Sequence, residues 1–306
     1  MTEVLAHGGE LAAPPAGEFA TVARPQWKTV GRRFLRHRLA VVACVVLAVI
    51  AAWAFLVPAI WPHSYTELDT ARRSLAPSRQ HPFGTDDLGK DVFARVMRGT
   101  QRTLEIAVIV SILSTIIGVT VGALAGYFRG WLDTVLMRIT DLVLIIPLLI
   151  VVGVMSASVP SAPWYVIPLL LGLFSWPLMA RITRAEFLSL REKEFVEAAR
   201  SVGAPHRRVI FGHVLPNVAG PIIVNATLTV AAAILVETAL SFLGLGVREP
   251  EVSLGLLINK YQNAFSTRPW LFWFPSLTIV LISLCVNFVG DGLRDAFDPR
   301  QDRMRS

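Results

Sequence analysis

Four stretches of this chain contain no Asp, Glu, Lys or Arg: Leu39–Trp61, Ile106–Tyr127, Val214–Val236 and Pro269–Gly290. At about 1.5 Å per residue, each is long enough to cross a ~30 Å hydrocarbon layer as a helix. A fifth uncharged run, Leu142–Ala180, has 39 residues, enough for two crossings. Ser156-Ala157-Ser158-Val159-Pro160-Ser161-Ala162-Pro163 supplies the turn that divides it, because proline and small polar residues punctuate helices. The pattern predicts an all-α membrane protein with six transmembrane helices. Open strands are excluded, since lipid cannot satisfy an unpaired sheet edge.

The segments between these runs set the organisation. Residues 1–38 form an N-terminal tail, of which 1–23 are rich in Ala, Gly, Pro and Glu without period and are read as disordered. The first span, 39–61, precedes an extracytoplasmic loop, 62–103, with turn-formers Pro62, Pro77, Pro82 and Gly84 and then the amphipathic run Val92–Met97. A core of five helices, 104–293, contains a charged loop at 181–213, and 294–306 is a C-terminal tail. Gly126–Gly130 makes a short turn between the second and third spans, and residues 244–269 form a second external loop.

The charged loop and the residues just beyond it, 189–216, carry the most specific local pattern. Ser189 and Glu192 have capping-box spacing and predict a helix start. Phe195, Ala198, Ala199 and Val202 follow at i, i+3, i+4 and i+7, one narrow apolar stripe. Glu194, Glu197 and Arg200 lie towards the other side, where Glu197 and Arg200 are within pairing distance at i, i+3. Gly203 suits a left-handed position after the helix, and Pro205 prevents its continuation. Periodicity alone leaves two readings level: a docking surface for a soluble partner, or a helix lying on the bilayer.

Composition agrees with the spans. Hydrophobic residues make up 54% and charged residues only 17%, against about a quarter charged in ordinary soluble domains. Basic residues orient the chain: Arg24, Lys28, Arg32, Arg33, Arg36 and Arg38 precede the first span, and Arg181, Arg184, Arg191, Lys193, Arg200, Arg207 and Arg208 fill the charged loop. With Arg294, Arg300, Arg303 and Arg305 at the end, both termini and that loop are assigned to the cytoplasm. Residues 62–105 run against this bias, with seven Lys/Arg beside six carboxylates on the external side. The formal net charge of +7 reads as topology. Nucleic acid is excluded as a partner because no basic stripe is interleaved with stacking aromatics. The first span is too long for a secretory leader and lacks a convincing cleavage site. Cys44 and Cys285, in separate spans, act as small apolar residues.

Candidate chemistry is sparse. Gly84-Thr85-Asp86-Asp87-Leu88-Gly89-Lys90-Asp91 nearly matches a phosphate-binding loop, but it ends in Asp91 where a hydroxyl is needed, and Asp86 and Asp87 repel phosphate. Arg138 and Asp141 are spaced as a boundary ion pair. Glu237 reads as a gate or, preferentially, as a hydrogen-bonded anchor for the tight turn Gly244-Leu245-Gly246. Asn225, Thr227, Thr229, Ser241 and Asn287 are polar enough to line a translocation path, although such residues also join helices. His63, His81, His206 and His213 lack metal-ligand spacing, and no nucleophile–His grouping shares a membrane depth, so neither a metal site nor a catalytic residue is assigned.

The spacing Glu197-Ala198-Ala199, then Gly203, then Leu215-Pro216 resembles the cytoplasmic loop of ABC importer permeases, with His213 in place of an aliphatic residue. In the dipeptide/oligopeptide/nickel branch, His at that place is common. Further segments resemble the same branch between residues 82 and 300. They include Pro82–Asp86, Gly89–Val92, Gly130–Asp133, Leu136–Arg138, Asp141, Pro147, Ala180-Arg181, Arg184–Glu186, Glu237–Gly246, Gly290–Asp295 and Asp298–Arg300. The long loop after the first span resembles the C-type permease subunit.

The resemblance implies a type I importer permease in a bacterial cytoplasmic membrane. It implies a heterodimer with a second homologous permease, two cytoplasmic ABC ATPases and an extracytoplasmic substrate-binding protein. ATP and Mg²⁺ are then bound by the ATPases, and this chain holds no cofactor. Glu194, Phe195, Glu197, Ala198, Ala199, Arg200, Gly203, Pro205, Leu215 and Pro216 become the coupling residues. The expected substrate is a dipeptide or oligopeptide, with nickel or another small solute as the alternative. A stand-alone secondary transporter is the competing class, and no internal repeat supports it.

Overall fold

A computed structural model describes residues 26–158 and 163–298. The tail 1–23, the centre of the predicted turn at 156–163, and Arg300, Arg303 and Arg305 lie outside the described residues. Thirteen α-helical segments follow in order: α1 (Gln26–Arg36), α2 (Arg38–Leu56), α3 (Val92–Phe128), α4 (Gly130–Ile145), α5 (Leu148–Ser158), α6 (Val166–Ser175), α7 (Pro177–Leu190), α8 (Glu194–Ser201), α9 (His206–Arg208), α10 (Leu215–Asn217), α11 (Ala219–Phe242), α12 (Leu254–Tyr261) and α13 (Pro269–Phe297). No strand occurs among the described residues.

Among the described residues five helical stretches are long and apolar enough to cross a membrane: Arg38–Ala59, Val92–Phe128, Val166–Leu190, Ala219–Phe242 and Pro269–Phe297. The pair α4 and α5 passes the same test only when taken together, bent by 74° at a short break, and makes a sixth where it counts as one span. Pro147 accounts for the break: it pushes the preceding Ile146 into extended backbone at ψ 122°, where a helix cannot continue.

Two predicted boundaries move. The second span begins at Val92, so the amphipathic run Val92–Met97 is its first turns and not a loop element. Asp91 caps it, accepting from the Ala94 amide at 2.7 Å. At 37 residues, α3 is roughly 55 Å long and overshoots the hydrocarbon layer. The fifth span begins at Ala219 and runs on through Glu237 and Ser241, while Val214–Val218 belong to the preceding loop.

Helix α3 is the axis of the bundle, packed on α6, α7 and α11, with α13 joining α11 to α2. Its contact with α7 is built on Gly118, Gly122 and Gly126 at i, i+4 and i+8. A Cβ on Gly122 would stand 2.4 Å from the Ala180 carbonyl oxygen, and one on Gly126 would stand 2.7 Å from the Phe187 Cβ. Small residues let backbones approach this closely, which is the main source of helix association where lipid supplies no hydrophobic drive. Gly122→Ala is therefore expected to lower stability by about 1–3 kcal/mol through overpacking. Thermal unfolding of the detergent-purified protein measures this, and a melting temperature equal to wild type would remove the close-contact argument.

Candidate functional site

The loop at 191–218 starts from α8, whose cap differs from the expected one. Ser189 lies inside α7, and Lys193 occupies the cap position without a side-chain hydrogen bond. Glu194 and Glu197 instead stabilise the helix start through its dipole. The stop is as expected: Gly203 has φ +81°, its amide donates to Arg200 O at 2.8 Å, and Ala204 N donates to Ala199 O at 3.1 Å. That crossed pair is a Schellman ending.

The predicted stripe is not the face that packs inward. Val196 is 0% exposed and joins Tyr127, Phe187, Val209, Ile210, Val214 and Val218 in a small core. Arg200 lies on the same side, its guanidinium 5.0 Å from the Tyr127 ring. Among the described residues, Glu197 and Arg200 form no ion pair; the aromatic face of Tyr127 takes the arginine instead. Phe195 (41% exposed), Ala198 and Val202 (88% exposed) point away from this chain, and Phe211 is exposed as well.

Three further contacts fasten the loop to α3. The Tyr127 hydroxyl and His206 Nδ1 are 2.8 Å apart, Arg191 donates to the Tyr127 carbonyl, and Arg129 pairs with Glu192 across the α3–α4 turn. Burial first, and then the charges of Arg129 and Arg200, push the Arg191 guanidinium below its ordinary value. Beyond Pro205 the chain is helical from His206 to Asn217, with a π turn over Val209–Val214. Pro216 explains that widening: it lacks an amide, and its ring would strike the carbonyl one α turn back. Leu215 is half-buried against the small core, and Pro216 is exposed.

Other predicted residues separate into three groups. Asn225 and Thr229 of α11 line a cavity of about 140 Å³ with Val110, Leu148, Leu171 and Met179. Each donates back to its own helix, Asn225 to Pro221 O at 2.9 Å and Thr229 to Asn225 O at 2.8 Å. Asn287 bonds Ser283 O on α13 and does not line that cavity. Glu237 and Ser241 are both fully buried: Ser241 Oγ donates to Glu237 Oε1 at 2.6 Å and accepts from Val247 N at 3.1 Å. This arrangement anchors the segment after Gly244, whose φ is +76°. Asp141 pairs with Arg181 of α7 at 2.6 Å, not with Arg138, because α4 turns that carboxylate towards α7.

The external charges that opposed the orientation rule are largely consumed internally. Arg95 is fully buried; Nη1 donates to Asp86 Oδ2 at 3.0 Å and Nη2 to Glu249 Oε1 at 2.7 Å. Arg102 grips Glu251 through two donors, each at 2.8 Å, stacks 3.9 Å over Trp164 and pairs with Glu105. Arg98 adds a third arm to Glu251 at 3.0 Å. The near-match to a phosphate loop is part of this clamp, with Asp86 accepting the Leu88 and Lys90 amides, both at 2.9 Å. Asp91 holds His81 at 2.6 Å. Among the described residues no three His, Cys, Asp or Glu side chains group as metal ligands. The signal for the clamp was Arg95, Arg98 and Arg102 at helical spacing, opposite Glu249 and Glu251 in a distant loop.

The comparisons with known proteins bear on both ends of the molecule. Residues 118–303 match the family described as binding-protein-dependent transport system inner membrane component. Residues 25–77 match the N-terminal transmembrane domain of oligopeptide transport permease C. The chain belongs to this family of inner membrane transport components, and it is a multi-pass transmembrane subunit that is not itself an ATPase. It is 45% identical over 277 residues to the oligopeptide transport system permease protein OppC of Mycobacterium tuberculosis, covering 90% of this chain and 95% of that one. It is also 35% identical over 289 residues to the dipeptide transport system permease protein DppC of Alkalihalophilus pseudofirmus, covering 94% of each. The inward-facing methionine transporter MetNI shares the fold, with TM-score 0.56 and 20% identity over 67% of this chain and 97% of the other.

The clamp generates two expectations. Arg95→Met takes from buried Asp86 its nearer cation and leaves Lys260 at 3.4 Å, so about 3 kcal/mol, the lower end for a broken buried pair, is expected; Glu249→Gln, at a carboxylate 44% exposed, should cost much less. Thermal unfolding separates them, and equal losses would reject a buried-charge origin. Burial alone would raise the Glu249 carboxyl, but its hydrogen bond to Arg95 and the charges of Arg95, Lys260 and Lys90 bring it down from 4.5 to about 2. A depressed carboxylate contributes stability that is complete above its free value and lost as pH falls through the folded one. The 247–253 segment should therefore resist pepsin at pH 4 and open towards pH 2. Cleavage there at pH 4 would contradict the assignment.

Proposed function

We propose that this chain is a pore-forming permease subunit of an ATP-driven importer of dipeptides or oligopeptides. The observation that carries the reading is the outward stripe of α8. Phe195, Ala198 and Val202 are exposed, while Val196 and Arg200 hold the helix from behind. An apolar face that its own chain leaves bare, on a helix rigidly stopped by Gly203, is suited to receive another protein. Its position among the basic residues that mark the cytoplasmic side makes a cytoplasmic ATPase the fitting partner. ATP and Mg²⁺ are bound there, on two such subunits. Closure of the ATPases pulls α8, and Arg200, Tyr127 and Arg191 pass the pull to α3.

A second, homologous permease completes the pore as a heterodimer. The α4–α5 arm supports this, because Trp131, Ile139, Leu142 and Ile145 are exposed along a helix with only Thr140 buried. An extracytoplasmic binding protein delivers substrate to the end carrying the clamped 247–261 segment. Peptide as substrate is supported by the names of the relatives, which are oligopeptide and dipeptide permeases.

Val202→Glu places a charge on the docking face without touching the small core. Membrane insertion should be unchanged, while co-purification of the ATPases and peptide uptake fall at least tenfold, the effect of about 1.4 kcal/mol. Uptake at the wild-type rate would reject α8 as the coupling element. Transport by the chain alone, driven by an ion gradient without ATP, would reject the importer class.

A further inference from the structure

At the cytoplasmic end, α7, α11 and α13 line a second, open cavity of about 490 Å³. This volume falls within the ~300–1,000 Å³ usual for small-molecule sites. Its walls include Ile182, Val224, Leu228 and Phe297, and three charged residues line it: Glu186 from α7, Arg294 from α13 and Asp298 just after α13. Neighbouring charges on α7 are neutralised: Arg181 by Asp141 and Arg184 by Asp133. Glu186 and Arg294 have no ion pair or side-chain hydrogen bond among the described residues, with each other or with any third group. Asp298 also lines the cavity, and its carbonyl accepts from Arg33.

The cavity is continuous in register with the interior one. Asn225 lines both, and Pro221, Asn225, Thr229, Ala232 and Val236 of α11 face one or the other. Those residues recur mostly at i+4, so they lie along one side of the helix. A solute leaving the bundle interior along that side meets Glu186 and Arg294 last.

We propose that this cavity is a substrate subsite for the two free ends of a short peptide. Glu186 receives the terminal ammonium, Arg294 the terminal carboxylate, and Asn225 hydrogen-bonds an amide between them. Of the three charged residues on the lining, Asp298 is already engaged, and the opposite charges of Glu186 and Arg294, not paired with each other, match the two ends of a zwitterion. The assignment rests on the peptide reading above and adds where the peptide's termini are recognised.

The test uses the complete transporter in nanodiscs of phosphatidylglycerol, so that no zwitterionic headgroup is present. The probe is alanyl-(4-benzoylphenylalanyl)-alanine, photo-crosslinked without the binding protein and mapped by mass spectrometry. Cross-links are expected on segments of α7, α11 or α13 lining the cavity. Unlabelled Ala-Phe-Ala should compete at roughly tenfold lower concentration than its N-acetylated or C-amidated forms, the worth of one charge-assisted hydrogen bond. Glu186→Gln should erase only the advantage of the free amine, and Arg294→Gln only that of the free carboxylate. Glu186→Asp and Arg294→Lys, which keep the charges, should retain part of each.

Equal competition by free and capped peptides in the wild type overturns the proposal, and so does a uniform loss across all peptides in both Gln variants. The wild-type comparison decides the matter even where a variant fails to assemble. Peptide uptake into proteoliposomes with the binding protein is measured in parallel. Uptake without the matched pattern rejects the subsite alone, whereas absence of uptake for every peptide rejects the importer reading.

Discussion

The approach of α3 to α7 along Gly118, Gly122 and Gly126 is the contact on which both ends of the molecule depend. In lipid, helices gain little from hiding apolar surface, so close van der Waals packing must hold them. Here that packing fixes α7, and α7 delivers the 191–218 loop beside the end of α3. Tyr127, one residue beyond the glycine row, then offers its ring to Arg200, its hydroxyl to His206 and its carbonyl to Arg191. The same helix, carried about 25 Å past the hydrocarbon layer, presents Arg95, Arg98 and Arg102 to the external segment. One rigid helix therefore joins the two surfaces at which a transporter must be read and driven.

Charge is used differently at the two ends. Outside, basic residues are matched within the chain: Arg95 to Asp86 and Glu249, Arg98 and Arg102 to Glu251. Burial first, opposed by the Arg95 charge and helped by the charge of Asp86 and the hydrogen bond to it, pushes the Tyr261 phenol upward and keeps it a donor to Asp86. Inside, Arg129, Arg191 and Arg200 crowd together, and Arg191 is held down by the other two after burial. The external cluster clamps a segment; inside, Arg129 pairs with Glu192 while the Tyr127 carbonyl and ring take Arg191 and Arg200, which fastens the loop to α3. The seven basic residues at 62–105 thus oppose the orientation rule in number but little in field.

Much of the architecture was legible before any packing was known. Uncharged runs mark the helices because charge is costly in lipid, and the basic bias marks the cytoplasmic side. Pro147 is a further local feature with a local effect, the 74° break between α4 and α5. The start of α8 was misplaced because a capping box needs a free hydroxyl at a chain bend, and Ser189 sits within the last turn of α7. The start of α3 was placed too late for a related reason. Hydropathy sees the lipid-facing part of a helix and is blind to turns that continue into water under paired charge.

The sequence by itself determined the long apolar helices, the ending of α8 at Gly203 and the presence of an apolar stripe on that helix. These follow from composition and from contacts within a few residues, where spacing alone carries the physics. The tertiary structure decided which side of α8 turns inward, since Val196 is buried only where Tyr127, Phe187 and Val214 meet it. It decided likewise that Asp141 goes to Arg181, that Glu237 and Ser241 anchor a turn, and that Arg95 reaches Glu249 across 154 residues. Those choices depend on which distant groups share one place in space, and a linear pattern does not contain that information.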